Sequence, residues 1–114
     1  MSIKDQREEH ILAELAAKYI AREAGRNTLI TPTRTELSKN RRNVTIFVSV
    51  YPSEETEHAL AFLKRHKDLF REDLKKTARL AVLPYITFEL DYGELNRQRL
   101  EELGQEIGPI APES

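Results

Sequence analysis

Ile11, Leu12, Leu15, Ala16, Tyr19 and Ile20 recur at intervals of three and four residues, the spacing that lines up side chains on one face of an α-helix. A first helix is therefore expected from about Lys4 to Ala24. Gly25 follows as its C-terminal cap, because glycine takes a left-handed backbone at no steric cost. The periodicity then changes from helical to alternating. Thr28 to Leu37 is rich in β-branched residues, and Val44 to Tyr51 alternates strictly. Val44, Ile46, Val48 and Val50 share one face of that second strand, and Thr45, Phe47, Ser49 and Tyr51 share the other. Ser38, Lys39, Asn40 and the arginines after them suit a hairpin turn, so the two strands are expected to be antiparallel neighbours.

Pro52 ends the second strand. Ser53 is the expected N-cap of the next helix, with Glu54, Glu55 and Glu57 at its positive end. Ala59, Phe62, Leu63, Phe70 and Leu74 mark the apolar side of that helix, which extends over about Glu54 to Arg79. The stripe lapses at His66-Lys67-Asp68, and a kink or a break between two helices is expected there. Pro84 closes the helical region and biases Leu83 toward extended backbone. Tyr85 to Tyr92 alternates again, with Ile86, Phe88 and Leu90 inward and Gly93 as its end. Glu94 to Leu103 predicts a short last helix. Two glycines and two prolines make 104–114 a flexible tail. The result is an α+β order, α-β-β-α-(kink)-α-β, with helices over one face of a three-stranded sheet. Residues 1–103 form one domain.

Composition narrows the class. The chain has 114 residues, 39% of them hydrophobic and 32% charged. That fits one modest core under a heavily charged surface. There is no Cys, which removes disulfides, thiolate metal sites and cysteine nucleophiles, and makes a reducing cytoplasm the expected location. No apolar run reaches the length of a membrane span. The net charge of −1 conceals a strong polarity. Arg26, Arg34, Lys39, Arg41 and Arg42 face one acid, Glu36, in their segment. Lys64, Arg65, Lys67, Arg71, Lys75, Lys76 and Arg79 face three, Asp68, Glu72 and Asp73. From Leu80 onward Arg97 and Arg99 meet seven acids.

No catalytic constellation is visible. There is no Gly-rich phosphate loop, no Gly-x-Ser-x-Gly and no His-Glu-x-x-His. His10, His58 and His66 are scattered, so no metal site is expected, and only His66 at the expected kink is placed to matter. Glu101 and Glu102 are adjacent on a helix and point in different directions, a poor acid/base pair.

Several segments resemble the ribosome-binding factor A family. They are Leu69-Phe70-Arg71, Leu74, Ala78-Arg79-Leu80, Leu83-Pro84-Tyr85-Ile86-Thr87-Phe88 and Asp91, together with Thr35-Glu36-Leu37-Ser38 and Val44-Thr45-Ile46-Phe47-Val48-Ser49. The resemblance covers roughly Glu9 to Leu103. Two departures stand out. Ala24-Gly25-Arg26-Asn27 replaces the family's Asp-Pro-Arg, and His66-Lys67-Asp68 replaces its Ala-x-Gly kink. The resemblance implies a type II KH-like fold. It also implies a cytoplasmic factor that binds the immature small (30S) ribosomal subunit and its 16S rRNA, assists late maturation by binding alone, and needs no cofactor or small-molecule substrate.

The residues agree with an RNA-binding surface. Lys64, Lys67, Arg71, Lys75 and Arg79 follow one another at steps of three or four and share one helix face, while Arg34, Lys39, Arg41 and Arg42 add a hairpin contact. Such cations bind phosphates with little sequence information. Lys67, Arg71 and Lys75 are expected to be exposed. The same stripe also suits a plain solvated face, in which Asp68, Glu72 and Asp73 pair with its cations at helical spacing. Phe47 and Tyr51 are placed either to stack on bases or to pack against a helix. The alternative function is a protein-interaction module that uses the acidic C-terminal half. A monomer is the default in either case.

Overall fold

The computed structural model describes residues 3–78, 80 and 82–106. Helix α1 spans Ile3–Glu23, strand β1 Leu29–Leu37, strand β2 Asn43–Tyr51, helix α2 Thr56–Thr77, strand β3 Tyr85–Leu90 and helix α3 Tyr92–Glu106. The three strands form one sheet in the order β1-β2-β3. β1 and β2 are the expected antiparallel pair, and β3 lies parallel to β2 after the α2 crossover. Both β1 and β3 are therefore edge strands.

The alternation in β2 is realised as read. Val44, Ile46, Val48 and Val50 are all buried, and α1 and α2 pack over that face. Leu12, Ala16, Tyr19 and Ile20 come from α1, Ala59, Leu63, Phe70 and Leu74 from α2, and Ile86 and Leu90 from β3. Ile11 stays exposed, because the buried stripe of α1 is narrower than its apolar spacing suggested. Leu95 brings α3 into the same core. Pro32 has no N–H to give and sits on edge strand β1, next to a bulge at Thr33 that shifts the register.

Several local expectations are corrected. α2 is one helix, so the break expected at His66-Lys67-Asp68 does not divide it. His66 fills the gap in the apolar stripe. Its ring stacks on Phe62 with centroids 4.2 Å apart, and its Nδ1 is hydrogen-bonded to the Tyr19 hydroxyl at 2.8 Å. An amphipathic ring thus takes the place of an aliphatic residue. Ser53 is not a side-chain cap. It opens a 3-10 turn, Ser53–Glu55, and its carbonyl accepts from the Thr56 hydroxyl at 2.6 Å. Gly25 does not take the left-handed backbone. Gly93 does not end β3; it lies inside α3, whose cap is Asp91. α3 extends to Glu106, and the tail expected beyond it, 107–114, lies outside the described residues.

The hairpin tip is tied to α1. The Leu37 N–H donates to Glu9 Oε2 at 2.8 Å. Arg41 takes a left-handed backbone, φ 62°, a conformation that costs a non-glycine residue. In that position its guanidinium pairs with Asp5 at 2.9 Å and with the buried carboxylate of Glu8. The Glu8 hydrogen bond raises the Arg41 pKa further above its ordinary range.

Candidate nucleic-acid interface

α2 and β3 enclose a groove along the free edge of the sheet. Leu60, Leu63, Lys64 and Lys67 line it from α2, and Phe88, Glu89 and Leu90 from β3. Leu63 and Leu90 are buried and Phe88 is half-buried, so the floor is apolar. The rim is cationic. Lys64 is exposed, Lys67 is half-buried and not exposed as expected, and neither has an ion-pair partner among the described residues. Glu89 is the one acid in this lining. β3 leaves one row of backbone N–H and C=O groups unpaired beside this rim, a polar edge next to a cationic wall.

The other expected contacts divide into free and engaged groups. Lys39 and Arg42, in the hairpin turn, are exposed and have no ion-pair partner among the described residues. The Arg42 carbonyl accepts the Tyr85 N–H at 2.8 Å, which joins the turn to the start of β3. Arg71 is half-buried, not exposed as expected. Its Nε donates to the Pro84 carbonyl at 2.9 Å and its Nη2 to the Leu83 carbonyl at 3.1 Å, and its guanidinium lies 4.2 Å from the Tyr85 ring centroid. Lys75 is exposed and pairs with Glu72 at 3.0 Å. Arg34 lies over Phe47, 3.8 Å from the centroid, and pairs with Glu36 while Asp91 stands 4.0 Å away. Arg41 is turned toward α1 as described above, and Arg79 lies outside the described residues. The fold thus gathers Lys64 and Lys67 at the groove, and joins Arg42 of the hairpin turn and Arg71 of α2 to Tyr85 at the start of β3. Arg34 and Arg41 are held by carboxylates elsewhere.

Asp91 anchors the far end of β3. Its Oδ2 accepts from the Thr33 hydroxyl at 2.6 Å, its Oδ1 accepts from the Glu94 N–H at 3.1 Å, and its own N–H donates to the Val48 carbonyl at 2.8 Å. The Thr33 hydroxyl, helped by the Glu94 N–H and Arg34, holds the Asp91 carboxyl below the usual carboxylate range against the opposing effect of burial. Asp91 is therefore a helix cap that fastens α3 to the β1 bulge.

Tyr85 received no role from the sequence beyond its place in the family match, yet it is 62% exposed at the start of β3, with the Arg71 guanidinium over its ring. A signal for it exists: it is the outward residue next to inward Ile86, and an aromatic ring in that position has no core to fill. Among the described residues no group of three or more His, Cys, Asp or Glu could hold a metal ion. No helix of the described residues is long and apolar enough to cross a membrane.

Comparison with known proteins converges on one family. The family model for ribosome-binding factor A matches residues 4–104. Ribosome-binding factor A of Kosmotoga olearia is 36% identical over 81 residues, which is 70% of this chain and 65%, just under two thirds, of that relative. The protein of the same name from Carboxydothermus hydrogenoformans is 28% identical over 120 aligned positions, covering 99% of this chain and 96% of its own. The crystal structure of ribosome-binding factor A from Thermus thermophilus superposes with a TM-score of 0.62 at 26% identity, over 70% of this chain and 88% of that one. Coordinates of the Thermus thermophilus factor fitted into the cryo-EM map of its 30S complex superpose with a TM-score of 0.60 at 25% identity, over 69% and 86%. With its KH-like α+β fold and a family match over nearly its whole length, the chain belongs to the ribosome-binding factor A family.

Proposed function

We propose that this chain is a maturation factor that binds the immature small (30S) ribosomal subunit through its 16S rRNA. It acts by binding energy, with no catalytic step and no cofactor, in the cytoplasm and as a monomer. The observation that carries the reading is the groove between α2 and β3. Its lysines, Lys64 and Lys67, have no ion-pair partner among the described residues and can exchange condensed counterions for phosphates. The relative whose coordinates were fitted into a 30S complex supports the choice of subunit. Folded RNA is recognised largely through its shape and backbone, which suits a rim of point charges over an apolar floor.

The test is co-sedimentation of the purified protein with small subunits, and with large subunits as control, at low and high salt. The expected result is salt-sensitive binding to small subunits alone. The double substitution Lys64→Glu, Lys67→Glu weakens it by about tenfold or more, since two lost phosphate contacts become two repulsions. Unchanged affinity in that variant refutes the groove assignment. One observation favours the protein-interaction reading: Leu100 and Leu103 are exposed on acidic α3. If neither subunit is bound at low salt, that helix becomes the working surface.

A further inference from the structure

We propose that Tyr85 is a stacking platform for one unpaired nucleobase at the hairpin end of β3. This inference rests on the RNA reading above and says which part of an RNA that end accepts.

The ring is exposed but not loose. Its backbone is fixed on one side by the hydrogen bond from its N–H to the Arg42 carbonyl. One face is covered by the Arg71 guanidinium, and that guanidinium is itself fixed by the carbonyls of Leu83 and Pro84. A ring held this way loses little freedom when a base lies on its remaining face, and rigid aromatic surfaces bind at low entropic cost for that reason. Burial does not explain the residue, because 62% of it is exposed. Stacking does, since every base offers a π-face and an unpaired base offers it without first being taken out of a helix.

Charge sets this ring apart from Phe47 and Tyr51, while Tyr92, 68% exposed in the groove lining, shares that lining with Glu89. Arg34 also covers an aromatic, Phe47, but Glu36 pairs with that arginine and Asp91 stands beside it, which disfavours an approaching phosphate. Tyr51 lies beside Glu101 and Glu102 of α3. At Tyr85 the neighbours are cations. Among the described residues Arg71 is bonded to carbonyls and to no acid, Arg42 is directly linked and has no ion-pair partner, and Lys39 belongs to the same turn. A base on Tyr85 would thus place its own phosphates between the hairpin cations and the lysines of α2.

The chain contains no Trp, so Tyr85→Trp installs a unique fluorophore at the site. The full chain carrying it is titrated at low salt with a hexameric oligoadenylate and with an RNA duplex of equal phosphate content. Saturable quenching by the oligoadenylate and little by the duplex is expected, with no quenching of a Tyr51→Trp control. Tyr85→Ala should weaken oligoadenylate binding by about tenfold, with an unchanged melting curve, and Tyr85→Phe should restore it because the ring and not the hydroxyl stacks. Equal quenching by duplex overturns the unpaired-base assignment. Full affinity in Tyr85→Ala, alongside weakened binding in Lys64→Glu, Lys67→Glu, overturns the platform and leaves the groove reading standing. Absence of RNA binding by the unsubstituted protein overturns both.

Discussion

Lys67 and Arg71 stand one helical turn apart on α2, yet the fold gives them different tasks. Lys67 reaches the groove without an ion-pair partner among the described residues, while Arg71 is engaged by two main-chain carbonyls and a tyrosine ring. Both are cations of one helical stripe; the position of the Leu83-Pro84 segment, whose carbonyls suit the forked guanidinium of Arg71, separates them. Asp91 shows the same dependence and gives a pH test. Its folded pKa is depressed, so its contribution is fully present above the unfolded carboxylate value of about 3.9 and is lost as pH falls through the lower folded value. Asp91→Ala removes the α3 cap and should cost about 1 kcal/mol at neutral pH. Denaturant midpoints of the two proteins should begin to converge as pH falls below the unfolded value and should meet once it has passed the lower folded value, where the native carboxylate is protonated as well. A gap that stays constant down to pH 2 contradicts the role given to the carboxylate.

At the scale of elements, α2 shows how one side chain preserves a helix. Where its family carries a small-residue kink, this chain has His66, which bonds to Tyr19 and stacks on Phe62. His66→Gly should therefore destabilise the fold by about 2 kcal/mol: roughly 1 for glycine inside a helix and roughly 1 for the lost hydrogen bond. His66→Leu keeps the apolar contact and should cost less. Urea denaturation measures both, and an unchanged midpoint for His66→Gly contradicts the place of His66 in the stripe. The hairpin follows a similar logic, since the left-handed Arg41 backbone is tolerated where it delivers the guanidinium to Glu8 and Asp5.

Over the whole molecule, a chain of net charge −1 still offers a cationic region. Arg34 and Arg41 are neutralised by local carboxylates, and Arg97 of α3 is paired with Glu94 and Glu101. Lys39, Arg42, Lys64 and Lys67 have no ion-pair partner among the described residues. If each meets one phosphate, the logarithm of RNA affinity should fall by about three for each tenfold rise in salt, and by about half that in the Lys64→Glu, Lys67→Glu variant. A slope near zero, read from fluorescence titrations across a salt series, contradicts phosphate binding by this set. Element type was written in the periodicity of the chain. The valines of β2 and the stripes of α1 and α2 each needed only local spacing, because burying one face of an element is decided by its own repeat. The family match was likewise carried by contiguous residues. What the chain alone left open were relations between segments that no local turn joins: the parallel place of β3 beside β2, the removal of Arg71 and Arg41 from the free cations, the filling of the expected break by His66 against Tyr19, and the exposure of Tyr85 at the start of β3. A side chain's partner across forty or fifty positions is set by packing, and packing exists only once the elements meet.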